Sequence, residues 1–133
     1  MTNPFKDQAD FMTACDQTTG HYNHDQFYLY AKLIEEEVTE LADALKGGLQ
    51  LETLDALTDI LVVTIGAIHS MGADAEGAWK EVMKTNFAKI DKETGKVRKR
   101  EDGKVLKPLG WEPPNLKPYL IKEISLLKQG FEQ

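Results

Sequence analysis

Cysteine is almost missing from the 133-residue sequence: Cys15 is the single one, so no disulfide can form within the chain and a reducing compartment, the cytoplasm, is expected. Long apolar runs are missing too. The nearest to one, Ile60 to Met71, is short of the roughly 20 residues a membrane span needs and is interrupted by Gly66, His69 and Ser70. The first residues, MTNPFKDQADF, lack the basic start and apolar stretch of a signal peptide. Positive charge is in deficit, with 16 Lys and Arg against 22 Asp and Glu. A chain with net charge −6 has no surplus to neutralise a phosphate backbone, so general nucleic-acid binding is not expected.

What remains is an ordinary globular composition, 41% hydrophobic and 29% charged, which excludes disordered and low-complexity classes. The length fits one domain over residues 1–133, large enough to build a core without metal staples, so that a metal, if bound, serves function.

The apolar spacing is helical along most of the chain. Phe5, Ala9 and Met12 form a stripe in a first helix over residues 5–16. Ile34, Val38, Leu41 and Leu45 mark a second, from about Asp25 to Lys46, stopped by Gly47-Gly48. Leu54, Leu57, Leu61, Ile65 and Ile68 mark a third, from about Leu51 to Met71, and its second half is apolar on nearly every side, the pattern of a helix packed all round. Asp74 is a candidate N-cap for a fourth, running through Trp79 and Phe87 towards Ile90. After Asp91 the helical period ends. A basic loop follows, with Asp102-Gly103 as a hairpin turn between two very short strands near residues 95–108, and a last helical segment is expected from about Pro118 to Lys128. The fold class is all-α.

Chemistry concentrates on the second and third helices. Glu35, Glu36, Glu37, Glu40 and Asp43 crowd one helix, where like charges three or four apart cost about 0.2–0.5 kcal/mol per pair. A solvated acidic face would explain some of them. Glu37, however, lies only about 60° around the helix from Ile34 and so borders the apolar stripe, with Glu40 next to it. Asp55 and Asp59 sit one turn apart on the third helix, on a stripe continuing to Val62 and Gly66, and no Lys or Arg occurs from Leu49 to Trp79. If the two helices pack antiparallel, Glu37, Glu40 and Asp59 converge, with Glu36 and Asp55 at the rim. Hard oxygen ligands of this kind suit Mg²⁺, or Mn²⁺ as a substitute. Lys84, Lys89, Lys96, Arg98, Lys99, Arg100, Lys104 and Lys107 then place positive charge after the fourth helix, where solvated lysines or a polyphosphate partner are both open readings. His21 and His24 read as loop histidines, Cys15 as inert, and Trp111 as the residue that pins the tail.

LIEEEVTEL at Leu33 to Leu41, DALTDILVVTIGAIHSMGAD at Asp55 to Asp74, EVMKTNFAKI at Glu81 to Ile90 and REDGKVLKPLGWEPPNL at Arg100 to Leu116 together resemble the all-α nucleotide pyrophosphohydrolases, the MazG-like or phosphoribosyl-ATP pyrophosphohydrolase-like family. The resemblance covers about Phe11 to Leu116. It implies hydrolysis of (d)NTPs to (d)NMP and pyrophosphate, as housecleaning of unwanted nucleotides, with Mg²⁺ held by paired carboxylates. Carried across, Glu37, Glu40 and Asp59 are metal ligands and Glu36 is the catalytic carboxylate that activates water. Asn86, Lys89, Lys104 and Lys107 meet phosphate, and Gln17 and Phe11 are guesses for base contacts. The family's E-x-x-D acid falls on Ala56 in this chain, so Asp55, four residues before Asp59, takes its place. A homodimer completing a four-helix core, or a dimer of dimers, is the implied assembly. Three other readings stay open: a phosphoribosyl-ATP pyrophosphohydrolase of histidine synthesis, a helical regulator or adaptor that binds metal or nucleotide without turnover, and a structural helical oligomer whose acidic face is merely solvated.

Overall fold

The computed structural model describes residues 3–121 and residue 126. Four α-helices account for its regular structure: α1 (Pro4–Ala14), α2 (His24–Gly47), α3 (Gln50–Ser70) and α4 (Ala75–Phe87). Among the described residues there is no multi-residue strand, and the fold is all-α. No helix among them is long and apolar enough to cross a membrane.

Local chemistry explains the boundaries. Asn3 caps α1 by accepting from the Lys6 N–H at 2.8 Å, with Pro4 in the first turn, where its missing N–H costs nothing. Asn23 does the same for α2, accepting from the Gln26 N–H at 3.2 Å. Gly48 ends α2 in the left-handed region, φ 64°, and Leu49 N–H closes back on the Ala44 carbonyl at 3.0 Å. That two-residue link turns the chain sharply enough for α3 to run back along α2. Three pairs fix the antiparallel register. Gln26 Nε2 donates to Ser70 Oγ at 2.9 Å, the ring of Tyr30 lies against Gly66, and Glu37 faces Asp59, each step forward on α2 matching the same step back on α3.

The chain divides into two compact units, one formed by the residues up to Ala75 together with those from Leu120, the other by Glu76–Tyr119. In the first unit α1 and α2 both pack on α3. Its core is Met12, Tyr30 and Ala67, flanked by Phe27, Leu33, Ile34 and Val63. His69 belongs to the same packing, its Nε2 2.9 Å from the Phe5 carbonyl. Tyr28 Oη donates to the Leu126 carbonyl.

The core differs from the expected stripes. On α3 the buried residues are Ala56, Gly66, Ala67 and Ser70, while Leu54, Leu57 and Leu61 are 63%, 47% and 64% exposed. At Gly66 the reason is close approach, since the Tyr30 ring of α2 occupies the space a Cβ would take, and Leu54, Leu57 and Leu61 lie on the other side of α3. On α2, Val38 and Leu45 are likewise exposed. In the second unit, the basic loop forms two isolated bridges, Ile90 with Val97 and Lys99 with Val105, around the turn at Asp102-Gly103. Of the last helical segment expected over about Pro118 to Lys128, the described residues show one 3-10 turn, Lys117–Tyr119, with Leu120 and Ile121 outside it. Ile124 and Leu127 lie outside the described residues.

Candidate functional site

The acidic site is built on the α2–α3 pair. Because the register sets Glu37 opposite Asp59, four carboxylates from two helices share one region. Glu37 is half-buried, with Oε2 shielded from solvent and without a hydrogen-bond partner. Its proton affinity is raised, first by burial, then by the hydrogen bond to and charge of Glu40, and then by the charges of Asp59 and Asp55. Asp59 is half-buried; Glu40 and Asp55 are exposed. Glu36 is exposed on the outer side of α2 and is not among the groups acting on Glu37.

The donor set suits a hard divalent cation: oxygen ligands only, mutually repelling, with a shielded carboxylate oxygen that lacks a partner. As the side chains stand, no group of three or more His, Cys, Asp or Glu among the described residues is gathered closely enough to clasp an ion. Helix register has assembled the neighbourhood, not a closed ligand cage.

Gln17 and Phe11, read as base contacts, have different surroundings. Gln17 Oε1 accepts from Tyr30 Oη at 2.5 Å, so the side chain is engaged with a core residue. Phe11 is 62% exposed.

The basic residues lie in the second unit. Lys89 Nζ donates to Asn86 Oδ1 at 3.1 Å, making a pair of the two. Lys104 sits at the hairpin turn, its backbone N–H on Asp102 Oδ1 at 3.0 Å and its carbonyl accepting from Arg100 N–H at 2.8 Å. The Arg100 guanidinium, followed by the Lys104 N–H, holds the Asp102 carboxyl below its usual range. A cleft of about 1140 Å³ runs between α4 and the loop, lined in part by Glu81, Lys84, Lys89, Asp91, Arg98 and Trp111. Two contacts fasten the tail: Trp111 Nε1 donates to the Thr85 carbonyl at 2.7 Å, and Asn115 N–H donates to Glu81 Oε2 at 2.8 Å. Sequence reasoning missed Glu81 as a tail anchor, and it missed that Lys89 and Lys107 share the Trp111 ring. Residues 107–111 are not helical, so the four-residue spacing of Lys107 and Trp111 carries no pairing signal, and Lys89 lies too far along the chain for any local pattern to reveal it.

An all-α fold with opposed carboxylates on an antiparallel helix pair and a basic loop beyond defines a class, the MazG-like nucleotide pyrophosphatases. The model of one family within it, phosphoribosyl-ATP pyrophosphohydrolase, matches residues 9–86, more than half of the sequence, and the chain belongs to that family. The matched span holds Glu36, Glu37, Glu40, Asp55, Asp59 and Asn86, and stops before Lys89, Lys104 and Lys107. Comparison with individually curated proteins returned no match.

Proposed function

We propose that this chain is a Mg²⁺-dependent nucleoside triphosphate pyrophosphohydrolase that converts a (d)NTP and water to the (d)NMP and pyrophosphate, in cytoplasmic housecleaning of the nucleotide pool. The observation that carries the reading is Glu37: a shielded, partnerless carboxylate oxygen with three further carboxylates around it, within the span that matches a pyrophosphohydrolase family. Such an arrangement opposes folding unless a cation is its purpose.

Glu37, Glu40 and Asp59, with Asp55, would hold Mg²⁺ or Mn²⁺. When bound, the ion supplies charge neutralisation and polarises phosphoryl oxygens. Glu36, exposed on α2, takes the proton of the attacking water. The water oxygen bonds to phosphorus, the bond to the bridging oxygen breaks, and its electron pair leaves on pyrophosphate. Asn86, Lys89, Lys104 and Lys107 bind phosphate and offset the charge of the leaving group.

The test is a panel of canonical and modified NTPs and dNTPs with Mg²⁺ or Mn²⁺, scored for monophosphate and pyrophosphate. Pyrophosphate release should require the divalent ion, and Glu40→Ala and Asp59→Ala should bring it to background with helicity intact by circular dichroism. Full turnover in either variant refutes its assignment; nucleotide binding without any pyrophosphate identifies a regulator instead. The family's description favours a second reading, phosphoribosyl-ATP as substrate, and this compound against free dNTPs in the same assay separates the two.

The exposed Leu54, Leu57 and Leu61 face of α3 would pair with a second copy, giving a homodimer or a dimer of dimers.

A further inference from the structure

Trp111 ties two remote stretches of the second unit together. Its ring is half-buried and its N–H is fixed to the Thr85 carbonyl of α4. The ammonium of Lys89, just past α4, lies 5.1 Å from the ring centre, and that of Lys107, from the basic loop, lies 4.9 Å from it. Both fall inside the range of about 6 Å in which an aromatic face attracts a cation, and indole is the strongest of the aromatic faces. Two free ammoniums repel each other. Here one ring attracts both, so they are no farther apart than the sum of their distances to its centre.

The way these lysines are held matters. Lys84, in the same unit, is held differently, with the Glu81 carboxylate and its opposite charge 3.3 Å away. An indole is neutral. It restrains a lysine and leaves the full positive charge available to an anion. Lysine stems are flexible, and holding two of them beforehand reduces the rotamer entropy lost when an anion is bound.

We propose that Trp111 is a positioning residue for phosphate: anchored to Thr85, its ring mounts Lys89 and Lys107 as a preassembled pair that receives the pyrophosphate portion of the substrate. The assignment rests on the reading that these lysines meet phosphate in a pyrophosphohydrolase.

Kinetics on the best nucleotide of the panel test it. Trp111→Leu should raise KM by about five- to tenfold with kcat within about twofold, while Trp111→Phe, which keeps a π face, should recover most of the loss. In a K89M/K107M background the same Trp111→Leu change should leave KM unmoved, because the ring then has nothing to position. An unchanged KM in Trp111→Leu, a fall in kcat alone, or a full KM effect in the lysine-free background overturns the proposal.

A binding measurement separates this from the enzymatic reading and from any folding defect of Trp111→Leu. The chain has two tryptophans, so Trp79→Phe leaves Trp111 as sole reporter. Titration of that protein with magnesium pyrophosphate should change its emission saturably, and Lys89→Met or Lys107→Met should each weaken the apparent affinity several-fold. An unresponsive Trp111, or lysine variants that titrate like their parent, sinks the lysine pair. Saturable binding without hydrolysis of any nucleotide sinks the enzymatic reading and leaves the pair standing.

Discussion

Glu37 faces three other carboxylates, and the sign of its effect on folding comes from its raised proton affinity. As pH rises, the unfolded chain gives up this proton first and the folded chain later, so the group's opposition to folding sets in above the unfolded value, is complete above the raised folded value, and is relieved as pH falls back through that window. Glu37→Gln should therefore melt higher than the unaltered protein at pH 7 in EDTA, with the gap closing in acid. Added Mg²⁺ should reverse the order, because only the unaltered protein gains a bound ion. Differential scanning fluorimetry reads both; an apo Glu37→Gln protein that melts lower at pH 7 contradicts the crowding. Gly66 sets the other close contact of the helix pair. A Cβ there would strike the Tyr30 ring, 2.6 Å from Cδ1, and the ring is held in place by Gln17. Gly66→Ala should destabilise by about 1–3 kcal/mol in a urea titration. Both residues were legible in the sequence. Glu37 stood beside the Ile34 stripe, and Gly66 interrupted an otherwise apolar run. Gln17 was not legible as a core residue, because its role depends on Tyr30, which no local pattern connects to it.

Among the elements, the four helices were set by stripe and punctuation: Gly48 where a left-handed turn is needed, and Asn23 where the first N–H groups of α2 need an acceptor. What stripes could not say is which side each helix buries. The α3 stripe of Leu54, Leu57 and Leu61 promised a core face, yet the buried face is that of Ala56, Gly66, Ala67 and Ser70. Spacing gives the faces of a helix; the neighbours that pack on it decide which face is buried. The tail has a similar history, for its last regular turn among the described residues ends at Tyr119, and its hold on α4 comes from single hydrogen bonds that no period encodes. One of these carries a pH dependence. Glu81 is held below the usual carboxyl range, first by the Asn115 N–H, against some opposition from burial and with help from Lys84. Its contribution to stability is complete above the unfolded carboxyl value and is lost as pH falls through the lowered folded one. Glu81→Gln should flatten acid unfolding of the second unit, followed by Trp111 emission in a Trp79→Phe protein; a profile identical to that of Glu81 removes the tail anchor.

At the scale of the molecule, the family match runs from α1 through Asn86, and most of the basic loop lies beyond it. The carboxylates thus lie within the matched span, and so does Thr85, whereas Lys89, Lys107 and Trp111 lie beyond it. The exposed aliphatic face of α3 bears on assembly. If a second copy covers it, Leu61→Glu should halve the mass seen by light scattering with little change in the helicity of each chain; an unaltered mass places the subunit contact elsewhere. Cys15, the C-cap residue of α1, is exposed and is the sole thiol of the chain. A maleimide dye would therefore attach once per polypeptide without any engineering. Mixing donor-labelled with acceptor-labelled protein would turn subunit exchange into an energy-transfer signal, and its rate would report how long two copies stay together.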